Sequence, residues 1–392
     1  MYRLVLIILL LTSPLIAEDK ARVQFQISVP DTTPKDIQLA IGANINGWDP
    51  SKGRYEFVRA GNGVWYGTLP ELKAGTMLVY KVTRGDWDSV EVNEDGSDMV
   101  DRRYRVHKGD QTVAITVEGW RDQEDIPKPE SSAIVPIIHK TVELPTFPGP
   151  RDVYIYLPSD YSTSTKHYPV IYMTDGANLF DQTVGSTAEW GMDELMEQYV
   201  SEGSELTSIV VGIDHAGPNR TYEYSPWDFS WRVLGTGKGK GSEFADWLAK
   251  TFKPMIDKEY RTKPGREHTT IMGSSMGGLI SCYVAIKYQD IFSKAACYSP
   301  AFLKNLVGDN LLTFISKTKR KLPMKIHMDM GDGELELFGK DILIEMEEVN
   351  AALLKAGFSK EEIRYQMIPE GIHHEGDWRK RTPEILSWLN KE

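Results

Sequence analysis

The sequence predicts two architectures in series: a small antiparallel β-sandwich, then an α/β unit built on a mainly parallel sheet. Between Ala21 and about Trp120, short alternating runs such as VQFQISV, IQLAIGA, MLVYKVT and TVAITV are separated by glycine, asparagine and aspartate clusters. That is the pattern of strands with one buried face. From Arg121 to Pro136 the chain is charged, aperiodic and broken by Pro127, Pro129 and Pro136, which reads as a semi-rigid linker. Beyond it VYIYLP, PVIYMTDG, SIVVGID, TTIMG, KAACYS and KIHMDMG alternate with amphipathic helical stretches, the rhythm of a parallel sheet with covering helices. The expected division is 1–17, 18–125, 126–138 and 139–392.

The first of these segments reads as an export signal. Arg3 supplies the charge, Leu4 to Leu11 the apolar core and Leu15-Ile16-Ala17 the small-residue exit, so a mature chain from Glu18, secreted or periplasmic, is expected. The apolar run falls short of the roughly 20 residues that cross a bilayer, and a stable membrane anchor is not expected. A chain of 392 residues with 41% hydrophobic content can bury a large core. Its net charge of −11, with no basic cluster, argues against nucleic acid or an anionic membrane as partner. The two cysteines, Cys282 and Cys297, lie in apolar stretches and are expected as buried free thiols. Sequence leaves open whether their geometry permits a disulfide.

The most informative stretch is TTIMGSSMGGLISCYVAIKY, residues 269 to 288, which holds Ser275 in a G-x-S-x-G pattern between a β-branched run and a helix-forming run. A nucleophilic serine needs a sharp strand-to-helix turn, and Gly273 and Gly277 leave the room that such a turn requires. The helix starting at Met276 points free N–H groups at the same spot, one half of an oxyanion hole. An exposed serine also needs a histidine and an orienting carboxylate, downstream in the order Ser, acid, His. Of the histidines after Ser275, His327 sits within the strand KIHMDMG and reads as a sheet residue, whereas His373 and His374 lie in the polar loop PEGIHHEGDW. One of these two is the base. The loop GDGELELFG offers Asp332, Glu334 and Glu336 as the acid, and spacing does not choose among them.

YPVIYMTDGANLFD, SIVVGIDHAGPNRTYEYSPW, GSSMGGLIS, the MGDGE loop and GIHHEGDWRKR together resemble the motif series of an esterase family of α/β-hydrolases. That family includes enterochelin (siderophore) esterases, feruloyl and acetylxylan esterases and esterase D. The resemblance runs from about Thr141 to the C-terminus. It implies an α/β-hydrolase fold, with Ser275 as nucleophile, Glu334 as acid with Asp332 as runner-up, and His373 as base with Trp378 and Arg381 packed behind it. The N–H groups of Met276 and Ala177 become the oxyanion donors, with Asp175 and Gly176 beside them expected to bind substrate. Arg220, Glu223, Tyr224 and Trp227 are expected to line or brace the cleft, with Trp378 also at the substrate. The family pattern calls for no metal or other cofactor. The glycine-lysine loop from Gly235 to Gly241 is expected to gate a polar cleft.

IQLAIGANINGWDP and VYKVTRGDWDSVE resemble carbohydrate-binding modules of the starch- and glycogen-binding type. The resemblance makes Trp48, Trp65 and Trp87 candidates for stacking on sugar rings. DRRY near Asp101 departs from the asparagine-arginine pair of many sugar-binding relatives. Taken together, the resemblances imply an esterase acting on a small-molecule or polysaccharide ester, with carbohydrate-linked feruloyl or acetyl esters ahead of siderophore trilactones. An inactive glycan-binding scaffold is the competing class, opposed by the intact serine, histidine and elbow glycines.

Overall fold

The computed structural model describes residues 20–46, 48–51, 57–61, 63–124, 126, 131–185, 188–231, 235–335 and 341–391. The expected export signal, the start at Glu18 and Glu336 lie outside these. Alternation does what it predicts in the N-terminal part: Val23–Ser28 buries every second residue, and Met77–Thr83 is buried throughout because both its faces are covered. Two sheets form. One has the order Gln111–Thr116, Val23–Ser28, Trp65–Thr68, Val58–Arg59, and the other Ala40–Ala43, Met77–Thr83, Arg102–Arg105. Phe25, Ile27, Ile41, Leu78, Tyr80 and Trp120 fill the space between them. The pairing is antiparallel apart from Gln111–Thr116, which runs parallel to Val23–Ser28. That strand arrives from the opposite sheet rather than through a hairpin, and so can enter the edge in either direction.

The rest of the chain folds on one eight-stranded sheet. Its strands are β1 (Ile138–Glu143), β2 (Pro150–Tyr156), β3 (Val170–Thr174), β4 (Ile209–Ile213), β5 (Thr269–Ser274), β6 (Lys294–Tyr298), β7 (Lys325–Gly331) and β8 (Ile363–Ile368), in the order β1-β2-β4-β3-β5-β6-β7-β8. The β1–β2 and β2–β4 pairs are antiparallel and the others parallel. β3 to β6 are apolar runs buried on both faces, as a sheet covered by helices on each side requires. The helices that concern the site are α1 (Met192–Ser201), α2 (Arg220–Tyr224), α3 (Met276–Lys287), α4 (Asp341–Lys355) and α5 (Glu375–Asn390). α3 and α4 pack on one face of the sheet, with α1 and α5 on the other. Parallel strands all end on the same edge, so the loops after β3, β5, β7 and β8 collect there. Among the described residues no helix is long and apolar enough to cross a membrane.

Candidate active site

Ser275 links β5 to α3 with φ 57° and ψ −122°, a conformation that costs a non-glycine residue about 1–3 kcal/mol. Neighbouring chain holds it there: Ser275 N donates to Tyr298 O at 3.0 Å, and Ala301 N donates to Ser275 O at 2.9 Å. A Cβ on either Gly273 or Gly277 would collide with Thr174 Oγ1 at the end of β3. Glycine is needed at both because the turn presses against the neighbouring strand, and the residue between them is forced outward.

The loop after β3 lies beside this turn. Asp175 has a left-handed φ of 56° and is gripped by Arg220, whose Nε and Nη2 donate to its two oxygens at 2.6 and 2.9 Å. Burial pushes the Asp175 carboxyl up, and the Arg220 charge and hydrogen bonds more than reverse that, leaving it below the usual carboxylate range. Gly176 fits directly on Gly212 of β4, where a Cβ would sit 2.7 Å from a backbone carbon. Gly176, Ala177 and Asn178 form one 3₁₀ turn, and Asn178 Nδ2 donates to Glu375 Oε1 at 3.1 Å, tying the turn to the start of α5. Met276 opens α3, so its N–H has no acceptor within the helix.

The turn after β7 brings Glu334 back over its own strand. The side chain is 0% exposed; Oε1 accepts from Gly331 N at 2.9 Å and Ser299 Oγ at 2.7 Å, and Oε2 lies 2.7 Å from His373 Nδ1. Asp332 points elsewhere and accepts from Glu370 N at 2.6 Å. The His373 ring stands edge-on to Trp378, with centroids 5.0 Å apart, and remains partly exposed. His374 caps α5 by accepting from Gly376 N at 3.2 Å, and burial lowers its pKa below the usual imidazole value.

Several expected substrate residues are braces instead. Trp378, 3% exposed, donates to Ser299 Oγ and stacks on Trp190, so it supports the histidine loop from behind and cannot touch substrate. Glu223 is 0% exposed and accepts from Thr146 and Arg151, which closes it to ligand. Asp175 has both oxygens taken by Arg220. Trp227 packs against Tyr283 and Phe314 and stays half-buried. In the gating loop, Gly235–Gly237 pairs with Phe229–Trp231, and Gly241 begins the next helix. His327 is fully buried in β7, as a sheet histidine should be. Cys282 and Cys297 are buried free thiols.

Of the three tryptophans expected to meet sugar, Trp65 is buried in the core because it shares its inward phase with Gly67 opposite Phe25, so it cannot stack on a sugar. Trp48 and Trp87 are half-buried partners with ring centroids 6.2 Å apart, and Trp87 Nε1 donates to Trp48 O at 3.1 Å. Sequence reasoning missed Ser299, which joins Glu334 to Trp378; a lone serine after a strand carries no signal of that role. No group of His, Cys, Asp or Glu placed to hold a metal ion occurs among the described residues.

Strand order, the β5–α3 turn and the collected loops define an α/β-hydrolase fold. The family model described as "Putative esterase" matches residues 145–389, and the chain belongs to that family of carboxylic ester hydrolases. A structure of the enterobactin esterase FES from Shigella flexneri aligns with TM-score 0.52 at 14% identity, covering 89% of this chain and 88% of that one. An endo-1,4-beta-xylanase/feruloyl esterase of Xylanibacter ruminicola is 22% identical over 379 residues, 94% of this chain and 44% of that protein. The N-terminal part is similar to a stretch of an alpha-amylase from Niallia circulans, 37% identical over 101 residues. That match takes in 26% of this chain and 8% of the amylase.

Proposed function

We propose that this chain is an exported serine esterase acting on carbohydrate-linked acyl esters, feruloyl or acetyl. Ser275 Oγ attacks the ester carbonyl while His373 Nε2 takes its proton. The N–H groups of Met276 and Ala177 stabilise the oxyanion. His373 then returns the proton to the departing alcohol, and water releases the acyl group from Ser275 by the same steps. The contact that carries this reading is Glu334 Oε2 to His373 Nδ1 at 2.7 Å. With Glu334 ionised, Nδ1 bears the hydrogen, and Nε2 is left as the acceptor. Glu334 is further fixed by Gly331 N and Ser299, so it is held in place to orient the ring.

The carbohydrate class is supported by the amylase-like N-terminal part and by the feruloyl esterase in the name of a relative spanning 94% of this chain. Trp48 and Trp87 are the remaining glycan-stacking candidates. A siderophore trilactone is the second reading, favoured by a fold match to an enterobactin esterase across 89% of this chain. Export rests on the residue pattern of Met1 to Ala17.

Ser275→Ala should lower hydrolysis of a nitrophenyl ester by at least about a thousandfold with the fold intact. Substantial residual turnover would remove Ser275 as the nucleophile. A panel of feruloyl-arabinoxylan, acetyl-xylan and catecholate trilactone esters separates the two substrate classes by kcat/KM.

A further inference from the structure

The N-terminal sandwich reaches the reaction centre. Arg103 Nη1 donates to Gly333 O at 3.1 Å, beside Glu334 in the turn that orients His373. Two carboxylates accompany it on the same end of the sandwich. Asp98 is fully engaged, accepting from Lys81 Nζ at 2.9 and 3.0 Å and from Arg121 Nη2 at 2.9 Å. Asp101 is different: its nearest cation, Lys81 Nζ, stands 4.0 Å away, and its side chain keeps 30% exposure. Among the described residues its carboxylate accepts no hydrogen bond, yet it lies within electrostatic reach of His373. Arg102, next in the chain, turns the other way and forks onto buried Glu91 at 2.8 to 3.0 Å, which locks the strand that positions Asp101 and Arg103.

The DRR run therefore does separate jobs: Arg102 anchors the sandwich, Arg103 clasps the acid's turn, and Asp101, two residues before that clasp, stands within electrostatic reach of His373. Position relative to His373 identifies what Asp101 would meet. On the proposed mechanism, His373 delivers its proton to the departing alcohol, so that portion of the ester must lie against the histidine loop. Burial pushes the Asp101 carboxyl above its ordinary pKa and the Lys81 charge draws it part of the way back; its unused acceptor oxygens suit a donor of several hydroxyls.

We infer that Asp101 is a specificity residue contributed by the sandwich, accepting hydrogen bonds from a polyhydroxylated alcohol portion such as a sugar. This rests on the serine-esterase reading but concerns the alcohol side alone. It also assigns the sandwich a second role, as one wall of the reaction cleft, distinct from any glycan stacking on Trp48 and Trp87.

The test compares kcat/KM for a feruloylated or acetylated oligosaccharide with kcat/KM for nitrophenyl acetate, in wild type, Asp101→Asn and Asp101→Ala. Loss of a charge-assisted hydrogen bond should lower the ratio by on the order of tenfold, mainly through KM for the sugar ester. A thermal melt identifies whichever variant is folded, and the isosteric Asn is read if Ala is not. A ratio within about threefold of wild type overturns the inference, including the case where both activities fall together. Such a result leaves the esterase reading standing, since that reading fails only if Ser275→Ala stays active.

Discussion

Two histidine–carboxylate pairs lie along β7, and they show how position rather than chemistry separates a structural pair from a reactive one. His327 Nε2 meets Asp329 Oδ2 at 3.0 Å inside the strand, both side chains 0% exposed. His373 Nδ1 meets Glu334 Oε2 at 2.7 Å just past the strand's end, with the histidine 20% exposed. The inner acid has further claimants: Arg381 donates to it through Nε at 2.8 Å and Nη2 at 3.2 Å, and Ser299 N at 3.2 Å. Arg381 also holds Asp377, whose carboxylate accepts from Ile372 N. The inner pair thus braces the loop that presents the outer pair. A histidine beside an acid is common to both, but only the outer imidazole keeps any exposure to solvent.

The largest difference should appear between the two histidines. His373→Ala should cut turnover by on the order of a thousandfold or more, with little change in melting temperature, because the ring is partly exposed and its loss opens no sealed core. His327→Ala should do the reverse. Removing a buried ring leaves a cavity and takes one of several hydrogen-bond donors from Asp329, so the melting temperature should fall while turnover per folded molecule stays within about threefold. Activity assays paired with thermal melts decide it. A folded His327→Ala enzyme without turnover would break the comparison.

Much of this site was legible in sequence because local backbone chemistry fixes it. Gly273 and Gly277 announce a strained turn that only tight contact with Thr174 could demand, and the polar loop around His373 cannot be a sheet strand. Glu334 and Asp332 were not separable from spacing, since the choice depends on a 3₁₀ turn that folds Glu334 back onto Gly331 N. The N-terminal strands were legible from alternation, yet Trp65 was offered as a sugar platform; its phase, shared with Gly67, was the available clue. Glu223 and Trp378 brace, as one half of the expectation for each had it, but do not line the cleft; their partners Thr146, Arg151 and Ser299 lie far away in sequence, so spacing could not separate the two roles. The clasp of Arg103 on Gly333 had no sequence signal, since packing between distant parts creates it.

The acids should differ next, by a smaller margin in turnover. Glu334→Gln keeps the shape but no longer stabilises the imidazolium, and should lower kcat by about a hundredfold or more. Asp329→Asn should instead cost about 1–3 kcal/mol of stability, because His327 and Arg381 lose a buried ionised acceptor while Arg381 keeps its bond to Asp377. The pH dependence separates them further. Burial raises the Asp329 carboxyl, and His327 and Arg381 more than reverse that, so its folded pKa lies below the ordinary 3.8. A depressed folded pKa contributes stability that is present above the unfolded value and is lost as pH falls through the folded one. Wild type should therefore lose stability more steeply than Asp329→Asn as pH drops below about 4. Equal slopes in urea melts across that window would remove the ion pair as a source of stability.

The smallest effect should come from Asp332→Asn, and it sharpens the contrast within a single turn. Asp332 stands two residues before Glu334, is exposed, and accepts one hydrogen bond, from Glu370 N at 2.6 Å. That bond joins the turn after β7 to the loop carrying His373, at a residue with left-handed φ of 58°. An asparagine oxygen can accept from the same N–H, and the exposed position adds no desolvation cost. Turnover should stay within about threefold of wild type and the melt should shift by no more than a few tenths of a kcal/mol in stability. The informative companion is Asp332→Ala, which loses the acceptor and should loosen the loop, raising KM while the pH profile of kcat keeps its wild-type shape. If Asp332→Asn lowered kcat as far as Glu334→Gln, the acid that orients His373 would be Asp332, and Glu334 would join Asp329 among the braces.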